Sequence, residues 1–201
     1  DSLQRSMSKL ENAMNGIVRA IAHTVETRDP YTAGHQRRVA DLAAAIAREV
    51  GFDRDRIEAV RVAAIIHDLG KISVPAEILS KPSRLTVNEF NLIKEHPQVG
   101  YDIVKDIEFP WDVSTMVYQH HEKLDGSGYP LGVAGDEILP ESRVLTVADV
   151  VEAMASHRPY RPGLGVDVAL GEIDKNKGKF YDPELARACI SLFKSGRFTF
   201  D

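Results

Sequence analysis

Five histidines, His35, His67, His96, His120 and His121, accompany two acidic residues, Asp68 and Asp149, and all are placed at the ends or on the inward faces of expected helices. Imidazole nitrogens and carboxylate oxygens without sulfur suit a borderline or hard divalent ion such as iron, manganese, zinc or magnesium. One ion would leave several of these side chains buried and uncompensated, whereas two ions about 3.5–4 Å apart and bridged by a carboxylate would use them all. Such a pair lowers the pKa of a bridging water towards neutrality, aims the resulting hydroxide at phosphorus and neutralises the phosphoryl oxygens, so the chemistry expected is phosphodiester hydrolysis.

Taken singly, several members have plainer readings. His35 on an apolar helix face reads equally as a hydrogen-bonded core residue, His96 before Pro97 as a helix terminator, and His120-His121 as a solvated face. The adjacent pair His67-Asp68 resists such a reading. It ends a very apolar helix and is followed by Leu69-Gly70-Lys71, and burying these charges is costly without a compensating cation.

The elements that must position these groups read as helices throughout. Leu3, Met7, Leu10, Met14, Ile17 and Ile21 alternate steps of four and three, which suits either a parallel coiled-coil seam or an amphipathic helix lying on its own domain. Arg28-Asp29-Pro30 breaks that helix, and His23 on it is assigned to packing. Thr32 is placed to cap a second helix running to Gly51, with His35, Val39, Leu42, Ile46 and Val50 on its inner face. A third is expected from Asp53 to Gly70. Thr86 and Glu89 form a capping-box pattern for a helix ending near His96-Pro97, and Pro97 suits the first turn of the next. Val113, Met116, Val117 and His120 continue the helical period, and a loop with Gly126, Gly128, Gly132 and Gly135 follows. Further helices are expected from Glu141 to Ser156, before Lys177, and after Asp182-Pro183. The expected class is all-α.

Composition sets the outer limits. With 201 residues, 43% of them apolar, the chain can bury one substantial core. No apolar run approaches the roughly 20 residues of a membrane-spanning helix. The first residue is Asp1 and no secretory signal pattern follows, as expected of a piece of a longer, cytoplasmic polypeptide. Cys189, the only cysteine, leaves no partner for an intramolecular disulfide. A formal charge of −5 gives no footprint for polymeric nucleic acid, although a local basic pocket can still hold a small anion.

Seven ordered motifs then carry a family resemblance: Thr27-Arg28-Asp29-Pro30-Tyr31-Thr32 leading to Gly34-His35; His67-Asp68-Leu69-Gly70-Lys71; His96-Pro97; His120-His121-Glu122; Asp125-Gly126 with Gly128-Tyr129-Pro130; Ala148-Asp149-Val150; and Arg158-Pro159-Tyr160-Arg161. Over about residues 17–192 the chain resembles the HD-GYP subgroup of HD-domain phosphohydrolases. The resemblance implies an HD-domain helical bundle (17–201), and the apolar spacing of the segment before it leaves residues 1–16 as an N-terminal connector helix, part of a longer, coiled-coil-like helix. The resemblance also implies hydrolysis of cyclic di-GMP to the linear dinucleotide pGpG and, in some members, onward to GMP.

By similarity His35, His67, Asp68 and Asp149 hold one metal, and Asp68 bridges to a second held by His96 and His120. In some relatives the second histidine of the pair helps bind a third metal with a glutamate. Here that position is similar to Tyr31, which has no carboxylate, so two ions, iron or manganese, are expected and the part played by His121 stays open. Lys71 is similar to the lysine that touches the scissile phosphate. Gly128, Tyr129 and Pro130 resemble the loop on the guanine side. Arg158 and Arg161 resemble residues that clamp the phosphate and base, beside a His157 where relatives carry an acidic residue. The implied partner is cyclic di-GMP; the Leu3 to Ile21 spacing and the Asp1 start add the expectation of an upstream sensor or receiver domain and of a second copy in a homodimer. Two alternatives remain: a phosphohydrolase of cyclic GMP-AMP or mononucleotides, and a low-turnover receptor or docking module for the dinucleotide.

Overall fold

The computed structural model describes residues 2–28, 34–156 and 163–200. Among the described residues ten α-helices follow one another: α1 (Ser2–Glu26), α2 (His35–Glu49), α3 (Arg54–Ile66), α4 (Ala76–Leu79), α5 (Val87–Ile93), α6 (His96–Val104), α7 (Val113–Gln119), α8 (Pro140–Ala155), α9 (Val166–Asn176) and α10 (Pro183–Lys194). Short 3₁₀ turns occur at Leu69–Ser73 and Gly135–Glu137. Among the described residues there is no strand, only an isolated bridge between Lys177 and Tyr181. The fold is an all-α bundle.

Helix starts follow local chemistry. The Asp53 carboxylate accepts from the Arg56 N–H at 2.9 Å to open α3. Thr86 and Glu89 form the reciprocal capping box of α5. Asp182 accepts from the N–H groups of Glu184 and Leu185 ahead of α10, whose first turn holds Pro183. The expected cap Thr32 lies outside the described residues, and α2 starts at His35 behind Gly34.

The core is organised by α2, α3 and α8, which pack on one another, with α9 and α10 closing one side and α7 the other. His35, Val39, Leu42 and Ile46 lie buried on one stripe of α2, as their spacing predicts. Each large aliphatic side chain buried there contributes roughly 1.5–3 kcal/mol. α8 is more deeply enclosed, with Val144, Leu145, Val147, Ala148 and Val151 all inaccessible to solvent. The structure differs from expectation in the third helix, which ends at Ile66 rather than Gly70. His67 and Asp68 leave the helix and the chain tightens into the 3₁₀ turn that carries Lys71. Gly70 makes this possible, because a Cβ there would lie 1.9 Å from the His96 carbonyl oxygen at the start of α6.

α1 carries two neighbouring apolar stripes. Val18, Ala22 and Val25 turn inward on the helix that packs against α3 and the Leu69–Ser73 turn, whereas Met14, Ile17 and Ile21 are exposed, Ile17 by 61%. His23 is not a packing residue: its side chain is 77% exposed, facing outward near Glu26. No described helix is long and apolar enough to cross a membrane.

Candidate metal centre

Three of the histidines are held by one local device. The Nδ1 atoms of His67, His96 and His120 lie 2.7, 2.7 and 2.6 Å from the carbonyl oxygens of Ala64, Ile93 and Val117, each three residues back. Carbonyls at the end of a helix lack intrahelical donors, and they can only accept. The proton is therefore on Nδ1, and each neutral ring directs an Nε2 lone pair towards the same space, the state a metal ligand needs.

Those lone pairs are poorly matched by protein alone. His67 Nε2 is buried with no hydrogen-bond partner. His96 Nε2 and His120 Nε2 face each other at 3.1 Å. Protonation is a costly remedy, because burial lowers His96 to about 3, against the opposing pull of Asp68. Burial, with His121 and His67 adding to it, holds His120 well below the usual imidazole range. Burial likewise lowers His121 to about 4.

Two carboxylates enter the same space. Asp149 Oδ1 lies 3.3 Å from His35 Nε2 and 3.6 Å from His67 Nε2. Asp68 Oδ2 lies 3.7 and 3.6 Å from the same two nitrogens, and its Oδ1 lies 3.4 Å from His96 Nε2. The two oxygens of Asp68 thus face different sets of imidazoles. Burial would raise Asp68, but Lys71 and the imidazoles of His67, His96 and His35 outweigh it and hold the carboxyl well below its ordinary value. Asp149 is depressed in the same way, with burial opposed by the neighbouring His35 and His67.

Donor atoms within 4.8 Å of one another form three groups: His35, His67 and Asp149; His96, His120 and His121; and His67, Asp68 and His120, which overlaps both sets. Neutral nitrogens with unused lone pairs, ionised carboxylates and no thiolate fit a divalent cation. All seven side chains singled out in the sequence meet here. Lys71 meets them too, with Nζ 2.6 Å from Asp68 Oδ2, so its described partner is a carboxylate of the cluster.

Residues that sequence reasoning missed hold this arrangement from behind. Glu152, fully buried on α8, takes a very short hydrogen bond from His35 Nδ1. Its Oε1 accepts from Arg38 Nε at 2.7 Å and from Ser156 Oγ at 2.7 Å, and Arg38 Nη2 lies 2.6 Å away. Burial raises Glu152, yet the bond to His35 and the charge of Arg38 bring it to about 2. A carboxylate behind a ligating imidazole fixes its tautomer and raises its basicity. The one sequence signal was the three-residue step from Asp149 to Glu152, which puts both on one face of α8.

Glu122 was also given no role. It is buried directly after His120-His121, and its Oε1 accepts from the N–H groups of Leu131 and Gly132 at 2.7 and 3.1 Å, tying down the glycine-rich loop. Gly128 in that loop lies against the chain it follows, since a Cβ there would be 2.5 Å from both Glu122 Cα and the His121 carbonyl oxygen. The Tyr129 N–H donates to that same carbonyl at 3.2 Å, and the Tyr129 ring lies 4.7 Å from the His121 ring at an interplanar angle of 30°. Pro130 follows through a cis peptide bond. Tyr31, His157, Arg158 and Arg161 lie outside the described residues.

The chain is 34% identical over 97% of its length to the cyclic di-GMP phosphodiesterase response regulator RpfG of Xanthomonas campestris pv. campestris, covering 51% of that protein. It is 41% identical over 89% of its length to 3'3'-cGAMP-specific phosphodiesterase 3 of Vibrio cholerae, covering 38% of it. The chain thus spans about half or less of the length of these curated relatives. Among solved structures, Bd1817, a HDG"Y"P protein from Bdellovibrio bacteriovorus, shares the fold, with a TM-score of 0.67 at 20% identity over 80% of this chain and 51% of that one. The HD domain pattern matches residues 19–185, a span that holds every histidine and aspartate of the cluster, and the chain belongs to the HD domain family.

Proposed function

We propose that this chain is a metal-dependent phosphodiesterase that opens cyclic di-GMP to linear pGpG. The observation that carries the reading is the disposition of Asp68, whose two oxygens face separate sets of imidazoles while the Nε2 atoms of His96 and His120 confront each other. His35, His67, Asp68 and Asp149 would hold one divalent ion, with Asp68, His96 and His120 holding a second and His121 beside it. Such ions supply Lewis acidity, acidifying water as a nucleophile and offsetting charge on phosphoryl oxygens.

The remaining work falls to the chain. Lys71 is partly exposed and sits at the edge of the cluster on a long flexible stem, so its ammonium can pass from Asp68 to a phosphate oxygen. Burial raises the Tyr129 hydroxyl, with Asp149 and Asp68 adding to the effect, and it remains a protonated donor beside His121. Gly128, Tyr129 and Pro130 would line the base side, and Arg158 and Arg161 would clamp phosphate and base. Metal analysis together with a product assay tests the reading. The wild type should convert cyclic di-GMP to pGpG, and Asp68→Ala should lose both metal and turnover; a wild type that prefers mononucleotides would overturn it. The 41% identity to a 3'3'-cGAMP-specific enzyme favours cyclic GMP-AMP as the second reading, so that nucleotide belongs in the same assay.

Regulation through residues 1–16 as a connector to the catalytic domain at 17–201 belongs to the same proposal. The exposed Met14, Ile17 and Ile21 stripe would pair with a second copy beneath an upstream sensor or receiver domain. The Arg28 guanidinium donates to the Ile72 carbonyl in the turn that carries Lys71, which supplies a route from α1 to the site.

A further inference from the structure

α5 buries none of its residues. Its start is fastened instead by the capping box and by Lys81, whose Nζ lies 2.8 and 2.7 Å from the two oxygens of Glu89. The helix leaves Val87, Phe90 and Leu92 exposed and ends at Ile93, with Lys94 as its C-terminal cap two residues before His96.

The Lys94 ammonium stands over two aromatic rings, 5.1 Å from the centre of Phe90 and 5.3 Å from that of Tyr129. Among the described residues no carboxylate lies within ion-pair distance of it, in contrast to Lys71, Lys81, Lys105 and Lys177. Lys94 is half-buried. Two π faces fix where its charge is held, but they do not neutralise it. Tyr129 in turn rests on His121, so Lys94 stands two contacts outward from the cluster.

We propose that Lys94 is a substrate-binding residue that takes the phosphodiester not being cleaved; this rests on the cyclic dinucleotide reading above. A cyclic dinucleotide carries two phosphodiesters held apart by its ring. With one at Asp68 and Lys71, the other is carried outward and needs its own cation. The chain's net charge of −5 offers no general attraction for a dianion, so local ammonium and guanidinium groups must supply it. Lys94 is held in place by its rings before the ligand arrives, which reduces the ordering cost of binding.

Steady-state kinetics on the manganese-loaded chain with cyclic di-GMP test this, using Lys94→Met, which keeps the stem length, and Lys94→Arg, which keeps the charge. Lys94→Met should raise KM about tenfold with kcat lowered less than about threefold, and should flatten the dependence of KM on sodium chloride. Lys94→Arg should restore KM to within about threefold. An unchanged KM in Lys94→Met overturns the inference while leaving the function reading standing. So does a loss carried mainly by kcat and unrelieved by arginine, which would mark a structural support for Tyr129. A wild type that cleaves no cyclic dinucleotide removes the function reading and this inference together.

Discussion

His96 Nε2 and His120 Nε2 stand 3.1 Å apart, and each ring has its Nδ1 committed to a backbone carbonyl. In the neutral rings two lone pairs confront each other in a buried space, and a divalent cation relieves this more readily than a proton does. Removing metal should therefore cost stability. Ligand at a hundred times its Kd contributes about 2.7 kcal/mol, and for a domain of this size each kcal/mol moves the midpoint by about 2–4 °C. Calorimetry with a chelator should show a fall of about 5–10 °C, reversed by adding manganese; an unchanged midpoint would count against a resident ion.

The same imidazoles set a pH dependence in the metal-free protein. His96 and His121 are lowered from 6.5 to about 3 and about 4, so between those values and 6.5 the unfolded chain binds more protons than the folded one. Their contribution is complete above about pH 6.5 and is lost as pH falls towards the folded values, at up to about 1.4 kcal/mol per pH unit for each ring. Urea unfolding from pH 7.5 down to 4.5 should show this slope, and a flat profile would contradict the neutral, buried assignment.

Glu152 should act on metal through His35. Glu152→Ala is expected to weaken metal affinity by about 10- to 100-fold, with hydrolysis falling in step, and Glu152→Gln should recover part of it. Chelator competition reads the affinity directly; equal affinity in all three proteins would leave Glu152 with a packing role alone.

The loop that carries Tyr129 depends on Glu122 and on the absence of a side chain at Gly128. Gly128→Ala drives a Cβ into backbone at 2.5 Å and should destabilise by about 1–3 kcal/mol while raising KM. Glu122→Ala strands the Leu131 and Gly132 N–H groups at a comparable cost, about 1–3 kcal/mol, whereas Glu122→Gln keeps an acceptor and should lose less. Denaturant titration separates these outcomes, and equal effects of Ala and Gln at position 122 would argue against the clamp.

Pairing through α1 predicts that Ile17→Glu with Ile21→Glu turns a dimer into a monomer without lowering the thermal midpoint of the catalytic bundle. Ala22→Glu, on the inward stripe, should lower the midpoint. Sedimentation velocity checks the first half; a wild-type chain that stays monomeric at high concentration would refute it.

Local signals were legible wherever a helix end or face is decided within a few residues. The capping box at Thr86 and Glu89, the Asp182-Pro183 start and the buried stripe of α2 all follow from short-range hydrogen bonding and helical periodicity. So does the presence of a metal-like donor set, because imidazoles and carboxylates at apolar helix ends are costly unless they share a cation. The end of α3 was harder to read. Gly70 looked like a helix stop, and only its close approach to the His96 carbonyl turns the segment into a 3₁₀ turn that aims Asp68 and Lys71.

By itself, then, the sequence determined the residue types, the all-α class, the family and the helix ends on which the clustered histidines and aspartates ride. Tertiary structure alone decided that Asp68 offers one oxygen to His35 and His67 and the other to His96, that Glu152 stands behind His35 across 117 positions, and that Lys94 shares a ring with the loop beyond His121. The physical reason is range. Caps and periodicity are settled by neighbours three or four residues apart, whereas lone-pair directions and charge compensation depend on which helices pack together, and packing sums weak contacts over the whole core.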